Sequence, residues 1–149
     1  RAHIERVATF VCGAVLDATE SILAGRFPVA FVPIAGFHHA HRQQARMYCL
    51  YNDPALALCR ALPSVEGNVA YIDIDIHHGD GVYEAFADEP RVVIADLHED
   101  ASTLFPYTPE QPGEHGRPTS GRCWGSWAML GMVCGWFGGG VGHGLGILC

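Results

Sequence analysis

The sequence predicts an α/β fold of three layers, in which a parallel central sheet carries helices on both faces. Two runs, 69–75 and 92–97, are apolar and β-branched throughout rather than alternating, as strands buried on both faces are. A segment of helical character, 81–87, lies between them and gives strand, helix, strand. Polar residues gather just beyond the strand ends, at 38–39, 73–80 and 96–99, the edge where such sheets bind ligands.

The elements follow in order. From Glu5 to Ala24, Val7, Val11, Val15, Ala18 and Ile22 recur at spacings of three and four, the stripe of an amphipathic helix, and Gly25 stops it. The run 29–34 reads as a short buried strand with the loop 35–40 behind it. Asn52 or Asp53 can cap a helix that has Pro54 in its first turn and runs through Leu56, Leu58 and Leu62 to Pro63. After the Gly67-Asn68 turn come the second strand, the helix 81–87 and the third strand.

Composition narrows the partners. A net charge of -7 argues against direct nucleic-acid binding, which needs clustered basic residues, and suits a small or cationic substrate. All nine basic residues are Arg, which fits GC-rich coding DNA. The six cysteines include no Cys-x-x-Cys pair and no secretory signal opens the chain, so a reducing, cytoplasmic setting is expected. The chain opens at Arg1 inside a helical pattern, and its start reads as a cut edge.

Strand alternation would put Asp73, Asp75 and His77 on one face and pack Ile72, Ile74 and Ile76 on the other. Carboxylates this close need compensation, and a divalent cation supplies it; oxygen and nitrogen donors without thiolate suit Zn²⁺ or Fe²⁺. The alternative is that both carboxylates cap the following turn and His77 is a satisfied loop histidine. His38 and His39 form an adjacent imidazole pair after another strand, able to titrate near neutrality. Asp73 and Asp80 are carboxylates that could fix their tautomers; chance pairing in a surface loop is the alternative.

The run Tyr71-Ile72-Asp73-Ile74-Asp75-Ile76-His77-His78-Gly79-Asp80-Gly81, followed by Glu84-Ala85-Phe86, resembles the signature of histone deacetylases and their acetoin-utilisation and acetylpolyamine relatives. Gly36 to Ala40, Tyr48-Cys49 with Asn52-Asp53, and Leu97-His98 with Phe105-Pro106 resemble other motifs of that family, so the likeness covers about three quarters of the chain. The resemblance implies a partial arginase/deacetylase-like fold. It implies Asp75 and His77 as metal ligands, His38 and His39 as the catalytic tandem paired with Asp73 and Asp80, and Gly36 and Tyr48 along the acyl channel. It also implies a monovalent cation, K⁺, at Asp73, Asp75, the backbone of His77 and Asp96. Arg46 and Met47 stand where many members have small residues, which would alter the channel. The implied reaction is metal-dependent removal of an acyl group from acetylated lysine, a polyamine or a small acylated amine. In it a metal polarises the carbonyl and activates water, a His moves the proton and a Tyr hydroxyl stabilises the oxyanion.

The sequence departs from the family downstream. The third metal ligand is an Asp and the oxyanion donor a late Tyr, yet no Asp follows Asp100 and no Tyr follows Tyr107. A division into residues 1–112, deacetylase-like, and 113–149, an atypical Gly/Trp/Cys-rich tail, is therefore expected, with the tail reading as frame-shifted. A non-catalytic homologue that binds metal or acyl-lysine is the competing reading. A membrane span over 123–149 is disfavoured by the tail's glycines and His143.

Overall fold

The computed structural model describes residues 2–107 together with the backbone of two strands, 134–139 and 143–148. Helix α1, Ala2–Leu23, buries Val11, Cys12, Val15, Thr19 and Ile22 along one stripe. The expected stripe begins one turn too early, because Val7 is 49% exposed beside exposed Ile4 and Phe10. The helix ends as expected at Gly25, whose φ of +69° is a left-handed conformation that glycine adopts without a Cβ clash. Arg26 N–H donates to Ser21 O and Gly25 N–H to Ile22 O, the paired bonds that close a Schellman end.

Strand β1, Val29–Phe31, is shorter than the run 29–34. Helix α2, Asp53–Ala61, is capped by Asn52, whose side-chain oxygen accepts from Ala55 N–H at 2.9 Å, with Pro54 in the first turn. Leu62–Ser64 continue it as a 3₁₀ turn. Strand β2, Val69–Asp73, then leads through 74–79 into α3, Asp80–Phe86, and β3, Val92–Asp96. Two further strands, β4 (Cys134–Gly139) and β5 (His143–Leu148), fall in the tail, where the sequence assigned none. Among the described residues no helix is long and apolar enough to cross a membrane.

The sheet order is β1-β5-β4-β2-β3. β2 pairs parallel with β3 in the register Val69↔Val92 to Asp73↔Asp96, and β1 pairs parallel with β5. β4 runs antiparallel to both β2 and β5, so β1, β5, β2 and β3 all point one way and only β4 is reversed. The carboxyl ends of β1, β2 and β3 therefore share one edge, as an α/β sheet with a ligand crevice requires. The core gathers Val15, Ile22, Leu58, Ala61, Val69, Tyr71, Val82, Phe86, Val92 and Ile94 between α1, α2, α3 and the strands.

One expectation is corrected. β2 ends at Asp73 instead of running to Asp75, so residues 74–79 do not keep strand alternation. Ile72 is 39% exposed rather than packed, because the β2 positions that turn inward are Val69, Tyr71 and Asp73, and Ile76, also 39% exposed, lies in the loop beyond β2.

Candidate active site

The loop after β1 carries the imidazole pair, and α2 holds that loop in place. Asp53, fully buried, accepts Gly36 N–H and Phe37 N–H at 2.9 Å each, one on each carboxylate oxygen. Asn52 donates its amide to His38 O at 2.9 Å and to Ala40 O at 3.0 Å. Gly36 has a φ of +104°, which a side chain would strain. The glycines of the His-His-Gly-Asp-Gly segment have steric reasons. A Cβ at Gly81 would sit 2.5 Å from His38 O and 2.6 Å from Ala40 O, and one at Gly79 would sit 2.8 Å from Asp73 Oδ2.

His38 and His39 are both 3% exposed, and each ring is backed by its own carboxylate. His38 Nδ1 lies 2.7 Å from Asp73 Oδ2, and His39 Nδ1 lies 2.7 Å from Asp80 Oδ1. Tyr71 O–H donates to the same Asp73 oxygen at 2.6 Å, and Asp75 N–H to the other at 2.9 Å. With both Nδ1–H groups given to carboxylates, the two Nε2 atoms face one another 3.1 Å apart, and that contact is attractive only if one ring is protonated there. The surroundings choose the ring. Burial pushes His38 down, but the bond and charge of Asp73, with Asp75 and Asp96, raise it overall. Burial pulls His39 down, and its bond to Asp80 does not recover the loss beside His38. A proton between the two Nε2 atoms is therefore favoured on His38 over His39.

Asp75 and His77 stand next to this pair. Asp75 Oδ1 accepts from His77 N–H at 2.7 Å, lies 2.8 Å from His77 Nδ1, and is 3.9 Å from His38 Nε2. The His77 ring meets the edge of His39 with centroids 5.7 Å apart. Burial alone would raise the Asp75 carboxyl, but bonds from His77 and the charge of His38 hold it below its ordinary range. One carboxylate oxygen and one imidazole nitrogen thus converge, partly exposed, beside the imidazole pair; this donor set fits a Zn²⁺ or Fe²⁺ ion.

A third group was legible in the sequence only in part. His78, Asp96 and His98 are buried with ligand atoms all within 4.8 Å of one another, a set that could also hold an ion. Asp96 Oδ2 takes His78 Nδ1 at 2.8 Å and Gly79 N–H at 2.9 Å, and Oδ1 lies 3.0 Å from His98 Nδ1. Burial opposes this charge, yet the two histidines hold the carboxyl far below its usual range. Tyr48, expected along the channel, is 88% exposed on the turn after Arg46. Sequence reasoning missed the clamp by Asp53 and the bond from Tyr71; the apolar setting of a lone Asp beside a capping Asn was the available sign of the first. The division at residue 112 lies outside the described residues.

Known proteins resemble this chain. The histone deacetylase domain family model matches residues 1–124. The acetoin utilization protein AcuC of Bacillus subtilis is 36% identical over 107 residues, 72% of this chain and 28% of that protein. Histone deacetylase 8 of Xenopus tropicalis is 37% identical over 101 residues, 68% of this chain and 27% of that protein. The histone deacetylase B of Dictyostelium discoideum is 44% identical over 73 residues, 49% of this chain and 17% of that protein. The chain spans about a quarter of the length of the first two relatives. The match covers both the imidazole pair and the Asp75–His77 donors, and the chain belongs to the histone deacetylase domain family.

Proposed function

We propose that this chain forms the metal-binding and proton-relay part of a metal-dependent amidohydrolase that removes acetyl groups from lysine-like amines. The observation that carries the reading is the pair His38–His39, each ring oriented by its own buried carboxylate and both facing the Asp75–His77 donors. Asp75 and His77 would hold the ion, Zn²⁺ or Fe²⁺. When bound, the ion supplies Lewis-acid activation of the acyl carbonyl and of water.

The chain's own residues divide the proton work. His39, whose proton affinity burial lowers, would take the proton of the attacking water through Nε2 in place of its contact with His38, with Asp80 fixing the tautomer. His38, whose protonated form Asp73 favours, would offer positive charge beside the developing oxyanion and a proton toward the leaving amine. Gly36 and Tyr48 would flank the acyl chain, and acetylated lysine, a polyamine or another small acylated amine would be the substrate. The Asp96 carboxylate is engaged by His78, His98 and Gly79, so K⁺ near Asp73, Asp75, His77 and Asp96 would draw mainly on main-chain oxygens.

Calorimetric titration of the chain with Zn²⁺ tests the metal assignment. A weak site at Asp75 and His77 is expected, separate from any ion held by His78, Asp96 and His98, since Asp75 and His77 supply two of the three protein ligands a catalytic zinc takes. Heat of binding at this site should vanish in Asp75→Asn and in His77→Ala. Equal binding by both variants and the parent would overturn the assignment.

A further inference from the structure

We propose that Arg46 is a positioning residue for His39, acting through Asp80 on one side of the ring and through Phe105 on the other. The proposal rests on the reading of His39 as the proton acceptor. Asp80 splits its carboxylate, giving Oδ1 to His39 Nδ1 at 2.7 Å and Oδ2 to an ion pair with Arg46 Nη1 and to His41 Nε2 at 3.1 Å. The same guanidinium lies over the Phe105 ring, 5.3 Å from its centroid. Phe105 in turn meets His39 edge to face at 4.8 Å and 89°. Two of the neighbours that fix the plane of the His39 ring, Asp80 and Phe105, are thus held by one side chain.

This is not an exposed ion pair of negligible worth. The Asp80 side chain is 6% exposed and that of Arg46 is 21% exposed, so screening is weak and loss of the cation would leave a buried anion short of a donor. Burial opposes the Asp80 charge, and the bonds from His39 and His41 with the Arg46 charge hold the carboxyl below its ordinary range. Arg46 itself is fixed by a tight turn in which Arg46 N–H donates to Cys49 O at 3.1 Å and Cys49 N–H to Arg46 O at 2.8 Å. At the next residue Met47 takes a left-handed φ of +51°. His41, bracing Asp80 from the same side, is tied to Glu84 on α3. A planar guanidinium can serve the carboxylate and stack on the ring at once; an ammonium cannot.

The two relay imidazoles provide an internal control. In the ¹⁵N-histidine-labelled chain, the Nδ1–H protons of His38 and His39 are followed by NMR for exchange with water. Arg46→Gln should speed exchange at His39 by roughly tenfold, the worth of a weakened charged hydrogen bond, and leave His38 unchanged. Arg46→Lys should fall between the two, and Phe105→Leu should speed exchange at His39 with the Arg46–Asp80 pair intact. Unchanged exchange at His39 in Arg46→Gln would overturn the proposal. Equal acceleration at His38 and His39 would also overturn it, because Arg46 would then support the whole scaffold. A chain that binds no Zn²⁺ at Asp75 and His77 would refute the metal reading while leaving the His39 exchange result to decide this one.

Discussion

Replacing Asp53 by Ala removes the two bonds that pin the imidazole loop to the start of α2. Gly36 N–H and Phe37 N–H each lose a 2.9 Å acceptor, and both residues are only partly exposed. An unsatisfied N–H costs about 1–3 kcal/mol when buried, and partial access to water puts each here near the lower half, so about 2–4 kcal/mol is lost. Against this stands the burial cost of the carboxylate itself, which raises the Asp53 carboxyl despite the two amide donors. Relief of that cost offsets part of the loss and leaves a net destabilisation of about 1–3 kcal/mol. Asp53→Asn should be no milder, because its NH₂ group must face one of the two N–H donors. Urea unfolding measures the loss as a lowered midpoint at constant slope. A change below about 0.5 kcal/mol in both variants, the range of ordinary surface substitutions, would refute the clamp.

Gly81→Ala should destabilise by about 1–3 kcal/mol or more, since the new Cβ meets main-chain oxygens of His38 and Ala40 at 2.5 and 2.6 Å; an unchanged melting temperature would count against the packing described. Stability should fall steeply below about pH 4, because Asp75, Asp80 and Asp96 have depressed folded values, so their stabilisation is present above the unfolded value and lost as pH falls through the folded one. His39, depressed, loses its contribution as pH falls from about 6.5, while His38, raised, contributes below that pH and loses its part as pH rises; the two oppose. Urea midpoints that rise between pH 5 and pH 3 would contradict this. Asp73→Asn and Asp80→Asn, made in a complete homologous enzyme at the matching positions, should lower kcat by about a hundredfold or more with KM nearly unchanged, as loss of a proton relay does. A kcat unchanged from the parent enzyme in both variants would reject the relay.

The site was more legible than the fold around it. Residues 73–81 bring their own geometry, because β2 ends at Asp73 and the next turns are so tight that Gly79 and Gly81 admit no Cβ. The pairing of β2 with β3 was legible for the reason parallel strands generally are, an unbroken apolar run in each. The reversed strand β4 was not, since glycine-rich sequence such as Gly138-Gly139-Gly140 carries no period of two. The outward turn of Ile72 and Ile76 depends on where β2 stops, which composition does not mark. Asp53 looked like a helix cap and instead serves the β1 loop, because Asn52 caps α2; only the tertiary approach of residues 36 and 37 decides between them. Asp96 was placed by resemblance near a cation, and its bonds to His78 and His98 were not legible, the first being a contact across 18 residues.

The central claim is that this sequence supplies a working metal and proton-relay site. A chimera tests it most directly: the 101 residues matched by histone deacetylase 8 of Xenopus tropicalis replace their counterparts in that protein, and acetate release from an acetyl-lysine peptide is measured with and without Zn²⁺. The account predicts hydrolysis that requires the metal and falls by about a hundredfold or more in His39→Ala, the share a general base contributes. A folded, zinc-loaded chimera without hydrolysis, or one whose turnover is indifferent to His39→Ala, would contradict it.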